Sequence, residues 1–197
     1  HKAGRYAEAL ARFQEAVNAA PAGTETHRRA RRNAAAACIE LGNALLQGRP
    51  AQAAEYYRRA IEFVRVSSDV EDAAPRALAH YALGMALHHS NRILEAVGEW
   101  EEVLSQAAAA PVPRRPQSTP QEEEAYRNLM DTAADARHSI AQVYYNQGVT
   151  AFNTHDYQAA AAAFDRCIRT DPGSDVARQA EMLRARLLEA GLGFGYP

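Results

Sequence analysis

Three columns of residues recur along the chain at matched intervals, and they decide what it can fold into. An alanine stands at positions 9, 53, 96 and 160. Four residues later comes an aromatic ring: Phe13, Tyr57, Trp100 and Phe164. Three residues after the ring comes a small or slim side chain: Ala16, Ala60, Val103 and Cys167. The intervals of 44, 43 and 64 residues are the same in all three columns, which marks an internal repeat. Steps of four and three residues put the three positions on one face of a helix. The small residues let a neighbouring helix approach closely, and the ring fills the space between. Hydrophobic residues make up 47% of the chain, many of them alanine, a composition that favours close helix-on-helix contact over a thick core.

A fourth column lies upstream of the last three copies. The stretches ACIELGNALLQG (37–48), HYALGMALHHSN (80–91) and YYNQGVTAFNTH (144–155) place Gly42, Gly84 and Gly148 in register. Glycine inside a helix costs about 1 kcal/mol against alanine, so a packing reason is expected: a neighbour crosses there and leaves no room for a side chain.

With these columns the chain resembles a tetratricopeptide repeat (TPR) protein. The matching residues are the leucine–glycine pairs Leu41–Gly42 and Leu83–Gly84, and the turn positions Gly4, Gly48, Asn91 and His155. The small–aromatic–small helix and the closing prolines Pro21 and Pro172 complete the match. The repeats are longer than the usual 34 residues, the turn between Gly42 and Gly48 is one residue short, and an insertion precedes the last copy, so the likeness is to a long-period variant of about 40 residues. It implies an all-α fold: an α-solenoid of antiparallel helix pairs, a TPR-like superhelix.

The expected layout is a half-repeat plus two repeats over 1–110, a Pro-rich linker over 111–120, a third full repeat with a long first helix and a capping helix over 121–190, and a tail over 191–197. A break at 67–75 separates two helices, the second expected to begin near Pro75. The linker PVPRRPQSTP holds prolines too closely spaced for a helix. It leads into a capping box in which Thr119 is the N-cap, Pro120 opens the helix and Glu122 sits three residues after the cap. The helix that follows exceeds 30 residues unless it bends near Asp131–Arg137, and is expected to project from the stack or fold back on it.

The first copy, Gly4 to Pro21, reads as the second helix of a repeat whose first helix is absent. A stack without a polar cap exposes apolar surface, so this edge, marked by Tyr6, Leu10 and Phe13, is expected to be covered by a second copy, a partner or further native sequence.

Chemistry is sparse. No HExxH, P-loop, nucleophile elbow or CxxC is present, so no catalytic residue, metal or cofactor is expected. GLGFG (191–195) follows a helix and precedes none, unlike a phosphate loop. His80, His88 and His89 lack metal-ligand spacing. Cys38 and Cys167 are expected as buried free thiols. A net charge of −2, with 22 basic and 24 acidic residues, argues against a general polyanion binder and hence against nucleic acid. No apolar run spans a membrane. An intracellular, cytoplasmic location is expected, without distinguishing nucleus or organelle.

The resemblance also implies where a partner binds. In TPR proteins the first helix of each repeat lines a concave groove. By column, the lining residues are Ile39, Asn43 and Leu46; Tyr81, Met85, His88 and His89; and Tyr145, Asn146, Val149 and Phe152. Such a groove suits an amphipathic helix or an extended apolar peptide, with the asparagines available to its backbone. The clamp by which TPR co-chaperones hold a C-terminal carboxylate is not expected. Asn43 and Asn146 match its asparagines, but its cationic columns hold Ile39, Leu78, Ala82 and Gln142. The basic stretch HRRARRN offers Arg28, Arg29, Arg31 and Arg32 to an acidic partner. The expected function is a non-catalytic adaptor or scaffold that binds a partner protein. The alternative is a regulatory peptide sensor or an assembly chaperone holding an unassembled subunit.

Overall fold

The computed structural model describes residues 2–65, 70–113 and 117–190. Among these it contains eight α-helices and no strand: α1 (Lys2–Ala19), α2 (Glu25–Leu45), α3 (Pro50–Val64), α4 (Val70–His89), α5 (Ile93–Ala109), α6 (Pro120–Asn153), α7 (Tyr157–Thr170) and α8 (Asp175–Glu189). The tail 191–197 with its GLGFG stretch, residues 67–69 of the expected break and residues 114–116 of the expected linker lie outside the described residues.

The chain divides into two compact units, His1–Ala133 and Ala134–Pro197. In the first, α1 packs on α2, α2 on α3, α3 on α4 and α4 on α5, and α2 also touches α4; in the second, α7 packs on α8. These are the paired neighbouring helices that the repeat implied. The unit boundary falls inside α6, which runs unbroken through 131–137.

The glycine column now has its packing partner. A Cβ built on Gly42 would stand 2.4 Å from a ring carbon of Tyr57, one on Gly84 would stand 2.3 Å from the indole nitrogen of Trp100, and one on Gly148 would stand 2.5 Å from a ring carbon of Phe164. The aromatic column of each complete repeat thus lies against the glycine of its own first helix. The polar tips are satisfied as well. Trp100 donates its indole N–H to the Tyr81 carbonyl (3.2 Å), and Tyr57 donates its hydroxyl to Asn43 Oδ1 (2.8 Å).

The short turn in the 37–60 repeat is also accounted for. In the two later repeats the helix ends on a residue in the left-handed region, Asn91 (φ 59°) and His155 (φ 64°). There Arg92 N–H reaches back to the Leu87 carbonyl, and Asp156 N–H to the Ala151 carbonyl, the long backward bond of a Schellman ending. With one residue fewer, the α2–α3 turn closes instead through Gly48 and Arg49 N–H on the Leu45 carbonyl.

Two helix starts show how much packing adds. The expected capping box is formed: Glu122 N–H donates to Thr119 Oγ1 (3.2 Å), and Thr119 N–H donates to the Glu122 carboxylate (2.7 Å). α4, by contrast, begins at Val70 and carries Pro75 inside it. Proline disfavours a helix interior, but this start is held from outside. Arg32 of α2 pairs with Glu71 (3.0 Å) and Asp72 (3.4 Å), and Asp72 is only 5% exposed. α6 does not simply project, because Leu129 and Ala133 in its first half are buried.

Candidate functional site

The surface on which a partner could act is built on the aromatic–glycine pairs. In the first unit, Tyr81, Met85 and His88 lie at i, i+4 and i+7 on α4, so they share a face. The Tyr81 and His88 rings lie 6.5 Å and 6.0 Å from the Trp100 ring. Tyr81 and Met85 are half-buried and His88 is exposed; His89, also exposed, meets His88 edge-on at 6.4 Å. Leu78, one turn earlier, is 44% exposed. Sequence reasoning had it only as an uncharged column, yet its position before Tyr81 and Ala82 on the same face was the signal to include it.

On α2 the columns diverge. Asn43 is exposed, but its carbonyl oxygen is engaged by Tyr57. Leu46 is half-buried. Ile39 is 5% exposed, so it supports the face from beneath instead of presenting its side chain. The reason is position: α2 packs between α1 and α3 and also touches α4.

In the second unit the same columns hold Tyr145, Val149 and Phe152, all half-buried and packed against the core around Phe164, Ala160 and Cys167. Tyr145 lies 6.1 Å from the Phe164 ring, and Phe152 lies 5.8 Å from the Tyr157 ring. Asn146 is exposed and accepts a hydrogen bond from Gln142 (3.0 Å). Each unit therefore offers an apolar, partly aromatic helix face.

The arginines of HRRARRN are largely engaged within the chain. Arg28 pairs with Glu25 (2.8 Å) and donates to the Gly23 carbonyl (3.0 Å). Arg31 donates to the Phe63 carbonyl. Arg32 joins Glu25, Glu71 and Asp72. Glu25 is held below its ordinary value by hydrogen bonds from Arg28 and then Arg32. Arg29 is exposed and without an ion pair among the described residues. Arg28 belongs to a junction that occurs twice. Gly23–Thr24–Glu25–Arg28 and Gly173–Ser174–Asp175–Arg178 match in sequence. In both, the glycine has φ 82°, the hydroxyl residue caps the next helix, and the arginine bridges the acid and the glycine carbonyl.

Other reactive groups are withdrawn from solvent. Cys38 and Cys167 are free and buried, as expected, and burial pushes each thiol up to about 11. His80 Nδ1 lies 2.7 Å from the Glu99 carboxylate, tying α4 to α5. Among the described residues no three His, Cys, Asp or Glu side chains converge on a metal site, and no helix is long and apolar enough to cross a membrane. A surface cleft of about 430 Å³ runs along α3, lined by Leu45, Arg49, Gln52, Glu55, Tyr56 and Arg59. Sequence reasoning did not find it, because its residues follow no repeat column.

The family model described as Tetratricopeptide repeat matches residues 141–174, which span the end of α6, all of α7 and the turn into α8. No curated protein and no solved structure matches the chain. The matched segment holds the Gly148–Phe164 contact, and the same contact recurs at Gly84–Trp100 and Gly42–Tyr57. Residues 141–174 thus match a tetratricopeptide repeat, whose usual role is protein–protein interaction, and they lie in an all-helical chain that repeats the same glycine–aromatic contact.

Proposed function

We propose that the chain is a non-catalytic adaptor that receives an amphipathic helix or an extended apolar peptide of a partner protein on the exposed faces of its first helices. The observation that carries this reading is the face Leu78–Tyr81–Met85–His88 of α4. Leu78 and His88 are exposed, and Tyr81 rests on a buried tryptophan that fixes its orientation. A rigid aromatic anchor beside exposed aliphatic groups is the composition that dominates the energetics of peptide recognition. Asn146 keeps its amide N–H groups available for a peptide carbonyl, since only its oxygen is engaged.

The test is affinity capture of the binding partner by the wild-type chain, by Tyr81→Glu and by Tyr145→Glu, with helicity followed by circular dichroism. Tyr81→Glu is expected to abolish capture while helicity is retained. Undiminished capture by both variants, with intact helicity, rules out these faces.

A further inference from the structure

The cleft along α3 carries two arginines that meet no carboxylate among the described residues. Arg49 stands just before α3, and Gln52, Glu55, Tyr56 and Arg59 follow at helical spacing on one face of it, with Leu45 of α2 beside them. Leu45 and Tyr56 are half-buried; Arg49, Glu55 and Arg59 are exposed. Glu55 and Arg59 have the four-residue spacing of a helical ion pair, yet they do not pair. Arg59 instead reaches across to Gln14 of α1 (3.4 Å), and Arg49 reaches Gln52 (3.5 Å). By contrast, Arg28, Arg32, Arg92 and Arg184 each meet a carboxylate. Each guanidinium of the cleft has five N–H donors, and these long bonds to neutral amides leave most of them open to a ligand.

We propose that this cleft is a second protein-binding site, separate from the α4 face, and that it takes an extended acidic segment of a partner protein. Arg59 lies ten residues beyond Arg49, about 15 Å along a helix axis. An extended peptide advances about 3.3 Å per residue and turns alternate side chains to one side. Carboxylates four residues apart therefore reach both arginines, whose planar forks suit carboxylates. The peptide side chain midway between them faces Tyr56 and Glu55, which favours an apolar residue and repels an acid. A nucleic-acid strand carries a charge on every nucleotide, so it would also set phosphates against Glu55.

The test is fluorescence anisotropy with the full chain, up to about 1 mM, and the peptide Gly-Glu-Thr-Leu-Thr-Glu-Gly carrying a neutral dye. Saturable binding with a Kd below about 1 mM is expected, weakening as salt is raised. Peptides with glutamine for both glutamates, or with the two glutamates adjacent, are expected to bind at least about fivefold more weakly. Arg49→Gln and Arg59→Gln should each weaken binding about fivefold and leave thermal unfolding unchanged, because each loses one long surface hydrogen bond. Glu55→Gln should tighten binding about twofold. A wild type that does not bind by about 1 mM, equal binding of the glutamine peptide, undiminished binding by both arginine variants, or easier displacement by oligothymidylate than by unlabelled peptide overturns the proposal.

Discussion

α1 and α7 carry the same three-residue pattern, yet only one of them is buried by it. In α7, Ala160, Phe164 and Cys167 are fully inaccessible, and the corresponding residues of α3 and α5 are at most 2% exposed. In α1, Ala9 and Phe13 are half-buried and Ala16 is exposed. Among the described side chains of α1 the buried one is Leu10, at 6%, and it belongs to none of the repeat columns. Tyr6 and Phe13 are only partly covered, and the cover comes from α2, the helix against which α1 packs. The repeat columns therefore do not encode burial by themselves. They encode complementarity to a glycine-bearing helix: Tyr57, Trp100 and Phe164 each meet one, whereas among the described residues Phe13 meets none and stays nearer water.

The comparison can be broken most directly at the rings. Trp100→Ala removes a buried ring and the N–H that Tyr81 accepts, and should cost about 4 kcal/mol; Phe13→Ala, at a half-covered site, should cost about 1 kcal/mol. Urea unfolding measures both, and similar losses would show that α1 is as tightly packed as the complete repeats. Next comes the glycine. Gly84→Val drives a branched side chain into the Trp100 indole and is expected to destabilise by about 3 kcal/mol. A variant that unfolds at the wild-type denaturant concentration would mean that the close approach is not required.

The junctions sharpen the comparison from the opposite side, because here the two regions do not differ. Thr24 caps the helix after α1, and Ser174 caps the helix after α7, through the same hydroxyl-to-backbone bond. Thr24→Ala and Ser174→Ala should each cost about 1 kcal/mol; a clear inequality in thermal shift would show that the two junctions are alike only in form.

A further difference concerns protons. Cys167 holds the column that Ala16 holds in α1, and burial raises Cys167, like Cys38, from 9.0 to about 11. The folded chain thus keeps these protons to higher pH than the unfolded chain does. Their contribution to stability is complete below pH 9 and is lost as pH rises toward 11. Chemical denaturation at pH 8 and pH 10.5 should show that decline, and it should shrink in Cys167→Ala. At pH 8 a thiol reagent should modify Ala16→Cys at once and leave the two native cysteines intact.

The all-helical pairing, the glycine–aromatic register, the capping box at Thr119 and the two buried thiols were legible because each is a local rule or a pattern of period 3.6. What the sequence missed is long-range. The start of α4 was placed at Pro75 by a local rule, and the pairs from Arg32 override it. HRRARRN was read as free charge because its partners Glu71, Asp72 and the Phe63 carbonyl lie more than 30 residues away. Ile39 is on the binding face by its column, but α2 lies between α1 and α3 and touches α4, and that packing, which no column expresses, buries it.

The sequence by itself therefore determined the unit of construction: a helix pair in which one ring of fixed position meets one glycine of fixed position. That follows from helical periodicity and from the volume of a single side chain, both of which are local. The tertiary structure alone decided which copies of that unit are closed, which arginines are engaged and which faces meet solvent. Those outcomes depend on whether a neighbouring helix is present to remove water, and no residue carries that information on its own.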